Sequence, residues 1–264
     1  MSLEGSGDTT ETGRAEGYSL SSLVISSTLK IPLFALLPVA SSGCTVKQDF
    51  TIKSGKDGEI FVDLELNPVF VRYINDLSET TGKSAKSGIF NVEEITRELK
   101  EYPSARPVSV VSPEPSKLIL ILKTENYTKL LPDKYVPFIS ISDSGKVRKV
   151  TFHMGRDNYK ALDEVFEISD NPILSGLAPQ IDKPYTNKEY VELLEYVFED
   201  YLGKGETAQK ILDKSYVQLN IKTSGKVLSS DKGSFKGNSL WIKLPLIDFL
   251  TLEKPVEFSF TYSI

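Results

Sequence analysis

Residues 255–264 alternate without a break. Val256, Phe258, Phe260, Tyr262 and Ile264 fall on one side of an extended chain, and Glu257, Ser259, Thr261 and Ser263 fall on the other. A strict period of two fits a strand with one face in a core and the other in water. Ile60, Val62, Leu64 and Leu66 repeat the pattern against Asp63 and Glu65. Strands of this kind build antiparallel sheets, and the turn signals between them predict how the sheets are connected.

Ser54-Gly55-Lys56-Asp57-Gly58 precedes the second alternating run and reads as a hairpin turn with its Phe50 and Ile52 arm. Strands are expected at 107–111 and 117–122, joined across 113–115. A further pair is expected at 136–142 and 146–154, across Asp143-Ser144-Gly145. Strands return at 215–222 and 238–244. Helices are expected between them. Asn67-Pro68 supplies a cap and a proline at the first helical position, before the stripe Phe70, Tyr73, Ile74, Leu77. Asn91 to Glu94 has capping-box spacing ahead of Val92, Ile95, Leu99 and Tyr102. Asp157 is placed to cap a helix reaching Glu167. Thr186 to Glu189 opens a helix to about Leu202, whose broad apolar face (Tyr190, Val191, Leu194, Val197, Phe198, Tyr201) suits packing on a sheet. The expectation is an α+β fold: antiparallel sheets built from hairpins, with several packing helices. Residues 45–264 are expected to form one domain, with a helical insertion at 155–212.

The start of the chain reads differently. Residues 31–40 are uncharged and apolar, Lys30 precedes them, and Ser41-Ser42-Gly43-Cys44 follows. A basic residue, an apolar run of roughly ten and then small residues is the layout of a secretory signal. The run is shorter than the about 20 residues needed to cross a bilayer, and Pro32 and Pro38 interrupt it. Residues 1–43 are therefore expected to be a signal or pro-segment. Residues 1–22 are rich in Gly, Ser, Thr and Glu, so translation is expected to begin near Leu23 or Val24. The competing reading makes 31–40 a buried strand and Cys44 a small buried hydrophobe.

Composition excludes several function classes. With one cysteine no intrachain disulfide forms. With one histidine besides, no zinc site of ordinary ligands is available. Asp57 and Glu59 are too few oxygens for calcium, and no metal or other cofactor is expected. The net charge is −5 and no basic block appears, so nucleic acid is not an expected partner. Gly82-Lys83-Ser84 resembles the end of a phosphate-binding loop, but Leu77 stands where its first glycine belongs. His153 shares a strand with Val150, Phe152 and Met154 and is expected to point away from their buried face. No nucleophile triad is built on it. Glu192, Glu195, Glu199 and Asp200 read as a solvated helix face. The densest apolar stretch runs from 240 to 250 and holds the only Trp. It is read as a core strand and short helix, or as a surface for lipid or an apolar ligand through Trp241, Leu244, Leu246 and Phe249.

Ser42, Gly43 and Cys44 resemble a lipobox, the processing site of bacterial lipoproteins. That resemblance implies that Cys44 is acylated and becomes the new N-terminus. The run Gly225-Lys226-Val227, Gly233, Gly237-Asn238 and Trp241 resembles the LppM-like bacterial lipoproteins over about 40 residues. What this implies is an envelope protein with a mixed α/β domain that binds lipid, and no catalytic residues carry over. The leading expectation is thus an exported, membrane-anchored envelope lipoprotein whose non-enzymatic domain binds a ligand or a partner. Two alternatives remain: an envelope hydrolase using paired carboxylates about 5–10 Å apart, and an assembly scaffold that pairs through the edge of the terminal strand.

Overall fold

A computed structural model of the chain describes residues 44–53, 57–80, 89–101, 106–127, 138–160 and 176–264. The alternating segments do form strands: β1 (Thr45–Ile52), β2 (Gly58–Glu65), β3 (Arg106–Glu114), β4 (Lys117–Thr124), β5 (Ile139–Ser144) and β6 (Val147–Met154). After the helical stretch come β7 (Tyr216–Lys222), β8 (Val227–Ser230), β9 (Ser234–Lys236), β10 (Ser239–Pro245) and β11 (Val256–Ser263). The helices are α1 (Pro68–Thr80), α2 (Val92–Glu101), α3 (Asn187–Val197), α4 (Ala208–Asp213) and α5 (Leu246–Thr251). Residues 156–160 are also helical. The fold is α+β.

The strands form two sheets. One has seven strands in the order β3-β4-β2-β1-β7-β10-β9, and the other has four, β5-β6-β11-β8. Among the described residues every pairing is antiparallel except one: β1 runs parallel to β7, with Phe50 opposite Ile221. That pair joins the hairpins of the N-terminal half to those of the C-terminal half, and local periodicity carries no sign of it. The short strands β8 and β9 were also absent from the sequence reading. The terminal strand does not lie at an edge. β11 pairs with β6 on one side and β8 on the other, so the scaffold reading loses its candidate edge.

Caps formed as their residues dictate. The Asn67 side chain accepts a hydrogen bond from the Val69 N–H at 2.8 Å. Thr186 and Glu189 make a reciprocal capping box, which satisfies two otherwise orphaned N–H groups. The β5–β6 hairpin turns through Gly145 and Lys146, and Gly145 adopts the left-handed φ of 59° that a tight turn requires. The signal region 1–43, the 54–56 turn, the Gly82-Lys83-Ser84 stretch and most of the helix expected at 157–167 lie outside the described residues.

Alternation decides the layering. In the large sheet Val46, Val62, Leu120, Leu219 and Ile242 point to one side and are buried. The same side of β1 continues through Phe50 and Ile52, which meet Phe152, Phe258 and Phe260 of the small sheet. The helices contribute Phe70, Tyr190, Leu194, Phe198, Leu246 and Phe249 to this one core. The opposite face of the large sheet carries polar, charged and scattered apolar side chains.

Candidate functional site

Where the two sheets meet, a small hollow remains. Phe50, Ile52, Ile60, Leu219 and Ile221 line it from the large sheet, and Ile139, Val150, Phe152, Phe258 and Phe260 from the small one. Its volume is about 40 Å³ for the centre of a water-sized sphere, and its surface is apolar. Phe152 and Phe258 stack across the β6–β11 pair at 5.0 Å with their planes 17° apart. An apolar, aromatic-lined space between two sheets suits hydrocarbon. Thr51, Gly58, Glu59, Thr124 and Tyr127 also border it.

The 240–250 segment divides between two environments. β10 alternates, so Leu240, Ile242 and Leu244 enter the core while Trp241 and Lys243 face the other way. Pro245 turns the chain into α5, whose Leu246 and Phe249 are fully packed inside. Leu244, Leu246 and Phe249 therefore sit in the core, and Trp241 is 43% exposed on the open face of the large sheet. The Trp241 row continues through Asn220 and Asp49, with the Asn220 amide donating to the Asp49 carboxylate at 2.6 Å.

Cys44 directly precedes β1 and is completely buried. Burial pushes its thiol up to about 12, so it is neutral and unreactive in this packing. An acyl chain on this sulfur and this placement of the side chain exclude one another.

His153 points away from the core face, as the alternation requires, but it is not simply solvated. Its Nδ1 lies 2.5 Å from the Glu257 carboxylate, and its Nε2 lies 3.0 Å from Asp157. Glu257 stands opposite His153 in the β6–β11 register, and Asp157 follows four residues on, in the helical stretch. The sequence holds the i,i+4 spacing but not the cross-strand partner. Both carboxylates are directed at the imidazole between them. Partial burial opposes the imidazolium, and the hydrogen bonds to Asp157 and Glu257 outweigh it, raising the pKa. A raised folded pKa stabilises the fold fully below about pH 6.5, and the contribution fades as pH rises through the folded value. Both carboxylates are more than half exposed, so screening limits the effect to about 1 kcal/mol. The urea midpoint is expected to be higher near pH 6 than near pH 9, and His153→Gln should flatten that difference. Equal slopes in the two proteins would remove His153 from the account.

Taken together, these features define an α+β protein with two facing sheets, an apolar space between them and one open sheet face. No protein-family model matches the chain, and no curated protein matches it. Among solved structures, the folded domain of the Mycobacterium tuberculosis LppM protein, determined by NMR, is similar over 84% of this chain and 91% of that one. The TM-score is 0.38 and the identity 8%. It bears the name of the family that residues 225–241 resemble. At these values the likeness is compatible with the lipoprotein reading and carries no argument for it.

Proposed function

We propose that the protein is an exported lipoprotein of the bacterial cell envelope, anchored through acyl chains on Cys44, whose 45–264 domain holds an apolar ligand between its two sheets. The observation that carries the ligand half is the inter-sheet hollow, whose surface is apolar throughout. At about 40 Å³ it is narrow, so a longer hydrocarbon enters only as the sheets part. The anchor half is supported by Lys30, the apolar run and the small residues before Cys44. Because the Cys44 thiol is buried and neutral once β1 is in place, acylation belongs to the precursor before the domain closes, and residue 44 then remains outside the core. Several acyl chains together hold stably, at roughly 0.8 kcal/mol per buried methylene.

The test compares wild type with Cys44→Ala in a bacterial host, by membrane fractionation and intact mass. Wild type is expected in the membrane fraction, shortened by the leader and heavier by its acyl chains, with the variant lacking both the lipid and the anchoring. Native mass spectrometry of the detergent-extracted protein is expected to show a co-purifying lipid. Soluble, full-length wild type ends the anchor half. A ligand-free domain in every preparation ends the other.

A further inference from the structure

The open face of the large sheet is not uniform. Register places Asp49, Asn220, Trp241 and Ser234 side by side in one row. Lys47, Gln218 and Lys243 form the next row on one side, and Thr51, Lys222, Ser239 and Lys236 the row on the other. Trp241 therefore stands among Lys222, Lys236 and Lys243, with Lys47 one strand further, and Asp49 is the acid of this half. The β2–β4 half of the same face is mixed, with Glu59, Asp63 and Glu65 set among Lys117 and Lys123 and an Asp63–Lys117 ion pair at 3.3 Å. The chain as a whole has a net charge of −5. Lysines gathered in one quadrant of an acidic protein create a local positive field that selects an anionic partner. Lys243 is held at the face by the Tyr216 ring, 3.6 Å below its ammonium.

We propose that this quadrant docks on an anionic phospholipid surface, with Trp241 as its apolar anchor and the lysines as its charge contacts. The choice of occupant deepens the envelope reading above and rests on it. Three observations favour a bilayer. The face is a sheet, so its side chains stand at one level over four strands, roughly 14 Å across, which suits a plane. Tryptophan beside lysine is the pairing that water–lipid interfaces retain, with the ring at the headgroup level and the ammonium groups on phosphate. Thr45, next to the proposed anchor, lies on this same face, two rows from Trp241. A chain tethered at residue 44 thus keeps Trp241 within roughly 19 Å of its attachment, five residues along the strand at about 3.3 Å each and two strands across at about 4.8 Å each.

The chain has one tryptophan, so its emission reports on this site directly. The experiment uses the full-length, unacylated chain with vesicles of phosphatidylcholine alone or mixed with phosphatidylglycerol. A blue shift, and quenching by bromine-labelled acyl chains, are expected with the anionic vesicles only, and both should vanish at high salt. Lys47→Glu, Lys222→Glu and Lys236→Glu together are expected to weaken partitioning about 100-fold. Their side chains are exposed, so the urea midpoint should stay near wild type and a folding failure is distinguishable. Emission that stays unmoved by anionic vesicles overturns the proposal. So does vesicle binding with Trp241 unquenched, which would assign contact to residues 1–43. Displacement of vesicles by a soluble anionic polysaccharide that itself shifts the emission also overturns it, in favour of a glycan site. Because the protein is unacylated, these outcomes are independent of whether Cys44 carries lipid in the cell.

Discussion

Phe258→Ala is expected to cost about 3–5 kcal/mol of stability and to convert the inter-sheet hollow into a site for a small apolar molecule. Phe258 is buried in the first half of β11, opposite Phe152 in the β6 register and stacked on it. It also borders the hollow with Phe50, Ile52 and Ile221 from the other sheet. Truncation removes the transfer free energy of the ring and leaves a void that two hydrogen-bonded sheets cannot easily close. The lining is apolar, so the enlarged void should stay dry. Benzene is then expected to raise the urea midpoint of the variant more than that of wild type, because ligand binding to the folded state alone shifts unfolding. A loss below about 1 kcal/mol would mean that the sheets are not packed on one another at this point. An unaltered midpoint with benzene would mean that they collapse into the space, and the proposed apolar site would lose its physical basis.

The second large effect concerns the turn beside Trp241. Gly233→Ala is expected to cost about 3 kcal/mol or more, from a left-handed backbone and an overpacked contact together. Gly233 has φ 77°, and an added Cβ would sit 2.0 Å from the Trp241 carbonyl oxygen. That oxygen is backbone and cannot swing aside, so β9 must part from β10. Gly237 supplies the control. Its φ is 62°, but nothing lies within 4 Å of an added Cβ. Gly237→Ala should therefore cost only the left-handed conformation, about 1–2 kcal/mol. The difference between the two variants, measured by urea unfolding, isolates the close approach. Equal losses would show that the β9–β10 contact is looser than the register implies. Trp241 emission should change in Gly233→Ala and hold in Gly237→Ala, since only the first displaces its backbone.

Much of the local structure was legible because it depends on neighbours in sequence. Alternation in β2, β6 and β11 stated both the strand and the face that enters the core. The Thr186–Glu189 box placed the start of α3, and Asn67-Pro68 placed α1. The outward direction of His153 followed from Val150, Phe152 and Met154. The site was less legible. Phe50, Ile52, Phe152 and Phe258 are recognisable as core-facing residues, but nothing in their spacing tells that two sheets meet there. Leu244, Leu246 and Phe249 share an apolar run with Trp241; the alternation of β10 separates Leu244 from Trp241, and packing of α5 buries the other two. Glu257 is remote from His153 in sequence, and the β6–β11 register alone brings them together.

The sequence by itself determined most of the segments that are strands and helices, where several of them start, and which side of the alternating strands seeks the core, since these follow from side-chain polarity at a period of 2 or 3.6 residues and from local capping. Tertiary structure alone decided the parallel β1–β7 pairing, the interior place of β11, the hollow between the sheets, the burial of Cys44 and the gathering of Lys47, Lys222 and Lys236 around Trp241. Those depend on register between strands far apart in the chain, and register is set by which buried faces pack together, a choice that no local pattern encodes.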